Sequence, residues 1–229
     1  MWPRFSEYFS TSFKGERSWR FVAGLCAVFL VLGILVRYSF LQNLDLRFTR
    51  EVQEHSDPLR DRLMMMFTFL GNGMTLIIGA VLVAAGLAAY HRRSAALFVL
   101  ISLIGLPIDI GLKEIWARAR PDAALVNVVV RYSGTSFPSG HSLGSTMVYG
   151  TLAALAYMHL PKSLWRTLAT VALAAIPLLV AWSRVYLGAH WFSDVVGGIT
   201  IGLAVLIPLV KGYAEHIKER VAPTAPSQS

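Results

Sequence analysis

An all-α, polytopic membrane protein with six transmembrane helices is the fold class this sequence predicts. Three observations predict it. Of 229 residues, 55% are hydrophobic and only 15% charged, against about 25% charged in an ordinary soluble domain. The mean hydropathy is +0.55, and the apolar residues come in blocks near the roughly 20 residues that cross a bilayer as helix. The basic residues lie beside those blocks. The formal charge of +8 therefore reads as membrane topology and not as a nucleic-acid footprint.

The candidate spans are 20–40, 74–90, 95–116, 142–160, 164–182 and 194–211. The first run is long, begins late and lacks a small-residue cleavage site, so it reads as a span and not as a cleaved signal. The stretch 58–90 is too long for one upright span, and "LGNG" at 70–73 breaks it. Residues 58–70 therefore form a short extra helix in the first outer loop, with Asp57 as capping carboxylate and Pro58 at the first helical position. Residues 1–19 are an N-terminal segment, where Trp2, Phe5, Phe9 and Phe13 recur at helical spacing and suit the inner membrane surface. Residues 20–213 make one membrane domain. Residues 214–229 are a tail ending in "APTAPSQS", a composition that favours disorder.

Orientation follows from lysine and arginine. Arg4, Lys14, Arg17 and Arg20 precede the first span, and Arg92 and Arg93 follow the second. Lys162 and Arg166 separate the fourth and fifth, and Lys211, Lys218 and Arg220 follow the sixth. With six spans all four segments fall on one side, which is cytoplasmic by the positive-inside rule, together with both termini. The first outer loop also carries arginines, interleaved with acids including Asp45. Arg118, Arg120, Arg131 and Arg184 run against the rule unless they serve another purpose.

Several features have plain explanations. Cys26 is the only cysteine, so no intramolecular disulfide forms. Trp19, Trp116, Trp165, Trp182 and Trp191 fall near span ends, as in an aromatic belt. "GITIG" at 198–202 is a small-xxx-small pattern suited to helix packing.

Chemistry concentrates in three outward-facing clusters: "KEIWARARP" at 113–121, "FPSGHS" at 137–142 and "SRVYLGAHWFSD" at 183–194. Lys113, Arg118, Arg120, Arg131 and Arg184 form a cationic group with few nearby acids. Arginine's planar fork suits phosphate oxygens, and lysine adds a point charge. Lipid headgroup contact is the plainer reading for Arg118 and Arg131. Ser139 caps a helix start whose free N–H groups favour an anion, and Gly140 lets the backbone approach it. His141 projects beside that point, although "SGH" alone is also an ordinary helix cap. His190 and Asp194 are four apart and share a face if the sixth helix begins near 189. The carboxylate could hold one imidazole nitrogen and leave the other as a nucleophile, or the pair could be a structural hydrogen bond. His141, His190 and Asp194 could also hold a metal, but the surrounding cations oppose it.

Lys113-x6-Arg120-Pro121, Pro138-Ser139-Gly140-His141 and Ser183-Arg184-x5-His190-x3-Asp194 together resemble the three-part signature of the type 2 phosphatidic acid phosphatase superfamily. The resemblance implies hydrolysis of a lipid phosphate monoester or diphosphate without metal or cofactor. It implies His190 as nucleophile, Asp194 as its orienting acid and His141 as acid and base toward the leaving group. Lys113, Arg120, Ser139, Gly140 and Arg184 would bind the phosphoryl oxygens. Asp109, one turn before Lys113, lies outside the signature and would orient or neutralise that lysine. The implied setting is the inner (plasma) membrane with an outward site. The implied partners are a lipid phosphate and the bilayer, with no nucleic acid and no fixed oligomeric state. Undecaprenyl diphosphate is the first expected substrate, followed by phosphatidylglycerol phosphate and phosphatidate. A lipid phosphotransferase and a non-enzymatic carrier of anionic lipids are the rival readings.

Overall fold

A computed structural model describes residues 16–221; the aromatic segment at 3–13 and the tail from 222 onward lie outside them. Among the described residues the chain forms nine α-helices, one 3-10 turn and no strand. They are α1 (Glu16–Arg37), α2 (Gln42–Gln53), α3 (Pro58–Leu70), α4 (Gly73–Ala89), α5 (Arg93–Ile101), α6 (Gly105–Trp116), α7 (Gly140–His159), α8 (Leu164–Tyr186) and α9 (Phe192–Val221), with the 3-10 turn Ser102–Ile104 joining α5 to α6. The last helix runs on through residue 221, well into the stretch assigned to the tail.

Four helical stretches are long and apolar enough to cross a membrane: Ser18–Arg37, Arg93–Trp116, Leu164–Tyr186 and Phe192–Arg220. A fifth arises if α3 and α4, bent by 54° at their junction, count as one broken span. The break has a local cause at each side. Asp57 caps α3 by accepting from the Leu59 and Arg60 N–H groups, and Asn72 caps α4 by accepting from Met74 N–H. Two helices, α2 and α3, thus follow the first span, where the sequence pointed to one.

The sequence-assigned fourth span, α7, falls outside the apolar set because it is the central helix. It packs against α8, α9, α6, α5 and α4, so it faces protein and not lipid. Ser142, Ser145, Thr146 and Thr151 are buried on it. Thr146 and Ser145 return their hydroxyls to the Ser142 carbonyl at 2.7 and 3.2 Å, which satisfies them without leaving the helix. Lipid tails are as apolar as leucine, so burying Leu143 and Met147 here gains close packing, not removal from water. Close approach of α9 needs its small residues. A methyl group at Gly198 would overlap the Ser139 carbonyl, and one at Gly202 would meet Thr146.

The tryptophans divide. Trp19, Trp165 and Trp182 are exposed as a belt requires, whereas Trp191 is buried. Its indole N–H donates to the Ala119 carbonyl at 3.2 Å. Trp116 packs edge-on against Phe29 and Phe137. Both lie near span ends, but Trp191 is held by the loop at Ala119 and Trp116 packs between α1 and Phe137.

Helix α2 turns an unusual face inward. Asp45, Thr49 and Gln53, spaced four apart, are all buried. Gln53 donates to the Asn127 and Tyr186 carbonyls and accepts from Asn127 N–H. It ties the long loop 117–139 to the end of α8.

Candidate active site

The C-terminal ends of α6 and α8, the N-terminal ends of α7 and α9, and the loop 117–139 meet at one end of the bundle. All three sequence clusters lie there.

His190 stands in the link between α8 and α9, not on the helix itself. The link folds back on α8, with Ala189 and His190 N–H both donating to the Arg184 carbonyl. Helix α9 starts at Phe192, so His190 and Asp194 do not meet as two residues of one helical face. Asp194 sits in the first turn and reaches back, accepting from Trp191 N–H at 2.9 Å. This is the acid half of a capping box. The same oxygen accepts from Ser136 Oγ at 2.5 Å and lies 3.4 Å from His190 Nδ1. Ser136 Oγ is also 3.3 Å from His190 Nδ1.

On its other side, His190 Nε2 lies 3.1 Å from Arg120 Nη1. A guanidinium can only donate, so Nε2 carries the lone pair and Nδ1 the proton, on the side of Ser136 Oγ and Asp194 Oδ2. Burial, reinforced by Arg184 and Arg120 and opposed by Asp194, pushes the His190 imidazole down to about 3. At neutral pH the ring is therefore uncharged, with its lone-pair nitrogen facing the cations.

Those cations are held differently from one another. Arg120 donates to the Gly134 and Ala189 carbonyls at 3.1 and 2.9 Å. Lys113 donates to Asp109 at 2.5 Å. Asp109 also lies against Gly140, where a methyl group would overlap its carboxylate. It thereby joins the first cluster to the second, and its other oxygen is buried without a partner. Arg184 is wholly buried. Its Nη1 donates to Thr68 Oγ1 at 2.6 Å and Tyr132 Oη at 3.1 Å. Its Nε and Nη2 have no hydrogen-bond partner. Such orphaned donors are costly unless a ligand completes them.

Ser139 caps α7, accepting from Ser142 N–H and Ser142 Oγ. His141, in the first turn, meets the Tyr132 ring edge-on at 5.8 Å. The face of that ring lies 4.3 Å from the Arg184 guanidinium and 5.6 Å from that of Arg120. Tyr132 thus roofs the cationic group.

Two arginines leave the group. Arg118 is occupied by Asp45 and Asp194, so it is neither an anion ligand nor a headgroup contact. Arg131 is exposed and lines an outer cavity of about 270 Å³ with Arg120, Asp122 and Tyr132. Sequence reasoning passed over Asp45, Thr68, Tyr132, Ser136 and Ser193. The first had a usable signal in the four-residue polar spacing of α2. The others are single polar residues whose partners lie more than 50 positions away.

The chain is similar to several known proteins. The family model described as the PAP2 superfamily matches residues 75–218. Phosphatidylglycerophosphatase B of Bacillus subtilis (strain 168) is 34% identical over 193 residues, covering 83% of this chain and 93% of that protein. A putative undecaprenyl-diphosphatase of Escherichia coli (strain K12) is 38% identical over 68 residues, 30% of each chain. Among solved structures, the transmembrane PAP2 type phosphatidylglycerolphosphate phosphatase from Bacillus subtilis superposes with a TM-score of 0.77 at 30% identity. That match covers 89% of this chain and 98% of the other.

Proposed function

Since this chain belongs to the PAP2 superfamily and is a membrane lipid phosphatase, we propose that it hydrolyses a lipid phosphate through a phosphohistidine on His190. The observation that carries this reading is the pairing of two groups. One is the partnerless Nε–Nη2 edge of buried Arg184. The other is a neutral His190 whose free nitrogen faces Arg120.

In this mechanism Arg184, Arg120, Lys113 and the Gly140 N–H bind the phosphoryl oxygens. Ser139 accepts two hydrogen bonds in the cap, and its own proton serves a phosphate oxygen. The lone pair of His190 Nε2 forms the N–P bond while the P–O bond to the lipid breaks. His141 takes the proton carried in by the bound phosphate monoanion and passes it to the departing oxygen. Asp194, across Nδ1–H, faces the positive charge that the phosphorylated ring acquires. Neutral His141 then takes a proton from water, whose oxygen displaces His190 and releases inorganic phosphate. Positioning and charge stabilisation carry most of such a transfer, and the cation set supplies them without a metal.

We place phosphatidylglycerol phosphate ahead of undecaprenyl diphosphate and phosphatidate, reversing the order suggested by sequence alone. The phosphatidylglycerophosphatase likeness runs along most of both chains, whereas the undecaprenyl-diphosphatase likeness covers under a third of each. Phosphate release from purified lipid phosphates in detergent, with chelator present, tests both points. Turnover should persist in EDTA and be fastest with phosphatidylglycerol phosphate. Activity restored only by added divalent metal would overturn the metal-free mechanism, and label appearing on a second lipid would make the enzyme a phosphotransferase.

The proposed topology is six crossings in the inner (plasma) membrane, with α3–α4 as the bent second and α7 as the protein-lined fourth. Both termini are cytoplasmic and the site faces outward. The lysine and arginine bias of the four inner segments supports this. With Cys26→Ser as background, an impermeant thiol reagent on intact cells should label a cysteine at position 122 and spare one at 162. The opposite pattern inverts the topology.

A further inference from the structure

We propose that Asp45 is a positioning residue of the phosphatase site: by balancing Arg118, it leaves Asp194 with an uncompensated negative charge toward His190. The inference rests on His190 being the nucleophile. Three elements distant in sequence build the arrangement. Asp45 comes from α2, Arg118 from the start of the long loop, and Ser193 and Asp194 from the first turn of α9.

Asp45 is wholly buried, and both its oxygens are engaged. One accepts from Ser193 N–H at 2.8 Å. The other accepts from Ser193 Oγ at 2.6 Å and Arg118 Nη2 at 2.6 Å. Arg118 uses its second nitrogen for Asp194, Nη1 to Oδ1 at 2.6 Å, and for Ser193 Oγ at 2.7 Å. Its guanidinium also lies 5.7 Å from the Trp191 ring centroid. One cation is thus divided between two carboxylates at equal distance. The three groups together carry one negative charge, divided between the two carboxylates, and Asp194 presents its share through the oxygen nearest His190 Nδ1.

The count matters because His190 gains positive charge when its other nitrogen takes the phosphoryl group. Were Arg118 paired with Asp194 alone, the pair would be neutral and would offer that charge little. Such a cation beside the orienting acid would oppose catalysis, and Asp45 prevents it. The same bonds anchor α2 to α9, so position and charge are set by one side chain. A buried charge left by removing its partner is costly, which explains why the group is complete.

The test compares kinetics with stability in three full-length variants. Losing a supporting partner of a functional group costs on the order of 10–100-fold in activity. Asp45→Asn should lose about that factor in kcat and in phosphoenzyme formation, with KM nearly unchanged. Adding Arg118→Gln removes the unbalanced cation and should restore much of kcat, although it breaks more buried bonds and lowers the melting temperature further. Asp45→Glu keeps the charge and should stay above Asp45→Asn. Activity and stability would then rank the variants differently, which a purely structural role cannot produce. Activity that merely follows melting temperature, or a double variant no faster than Asp45→Asn, overturns the proposal. If Asp45→Asn does not fold, the double variant against Asp45→Glu decides: charge balance requires both to retain kcat within about tenfold of the native chain. Failure of the native chain to form an acid-labile phosphohistidine would sink the nucleophile reading itself, before any variant is compared.

Discussion

The two flanks of His190 are built in opposite ways. On the Asp194 flank every carboxylate oxygen of Asp45 and Asp194 has a donor, supplied by Arg118, Ser136, Ser193 and the Trp191 backbone. On the Arg184 flank two guanidinium nitrogens and one Asp109 oxygen are buried without partners. Protein interiors rarely leave such groups unmade. Saturation on one side means its geometry survives a reaction cycle unchanged. Deficiency on the other means a tetrahedral anion can complete the two Arg184 donors, whereas the Asp109 oxygen, an acceptor, calls for a donor. In the proposed mechanism the difference separates the group that aims the nucleophile from the group that binds what it attacks.

Substitutions at the centre of that contrast should have the largest effects. His190→Ala should abolish phosphoenzyme and cost on the order of 10⁴-fold or more, as loss of a catalytic nucleophile does. His141→Ala should cost about 10²–10⁴-fold on a lipid phosphate, and recover part of that on p-nitrophenyl phosphate, whose leaving group needs little protonation. Equal losses for both variants on both substrates would erase the division of roles. A phosphoenzyme in His190→Ala would move the nucleophile elsewhere.

Arg184→Lys probes the open flank. It preserves charge but removes the fork, which is not a conservative change at a bidentate site. Loss of one preorganised donor costs about 10²–10³-fold in kcat, and vanadate inhibition should weaken in parallel. Unchanged vanadate inhibition would show that the partnerless edge does not meet the phosphoryl oxygens. The smallest effect belongs to Tyr132→Phe. The ring still covers Arg184 and Arg120, but the hydroxyl on Arg184 Nη1 is gone, while Thr68 remains. A loss of about tenfold, equivalent to ~1.5 kcal/mol for one hydrogen bond to a charged group, should appear. A loss as large as that of Arg184→Lys would make Tyr132 a direct substrate ligand.

Legibility from sequence differs along the same line. His141, His190, Asp194, Lys113, Arg120, Ser139, Gly140 and Arg184 stand out in sequence because their spacings make a known pattern. The structure gathers the three clusters at one end of the bundle. Arg118 looked like its neighbours in "KEIWARARP", yet it faces two acids. Nothing local distinguishes Arg118 from Arg120: which arginine faces the phosphate side depends on how the loop leaves the left-handed residue Ala117. Helix α7 was legible as a helix but not as the centre. Its serines and threonines lower its hydropathy because it faces other helices, and a window over sequence cannot know its neighbours.

The sequence by itself determined the apolar blocks, the caps at Asp57 and Ser139, and the side-chain types offered as the candidate site. All of these are set within a few residues by helix hydrogen bonding, hydropathy and side-chain type. Only the tertiary structure decided that Asp45 neutralises Arg118, that Thr68 and Tyr132 hold one end of Arg184, and that His190 precedes its helix instead of riding on it. Those contacts join residues 52 to 116 positions apart, and a buried charge finds its partner through helix packing, which no local pattern encodes.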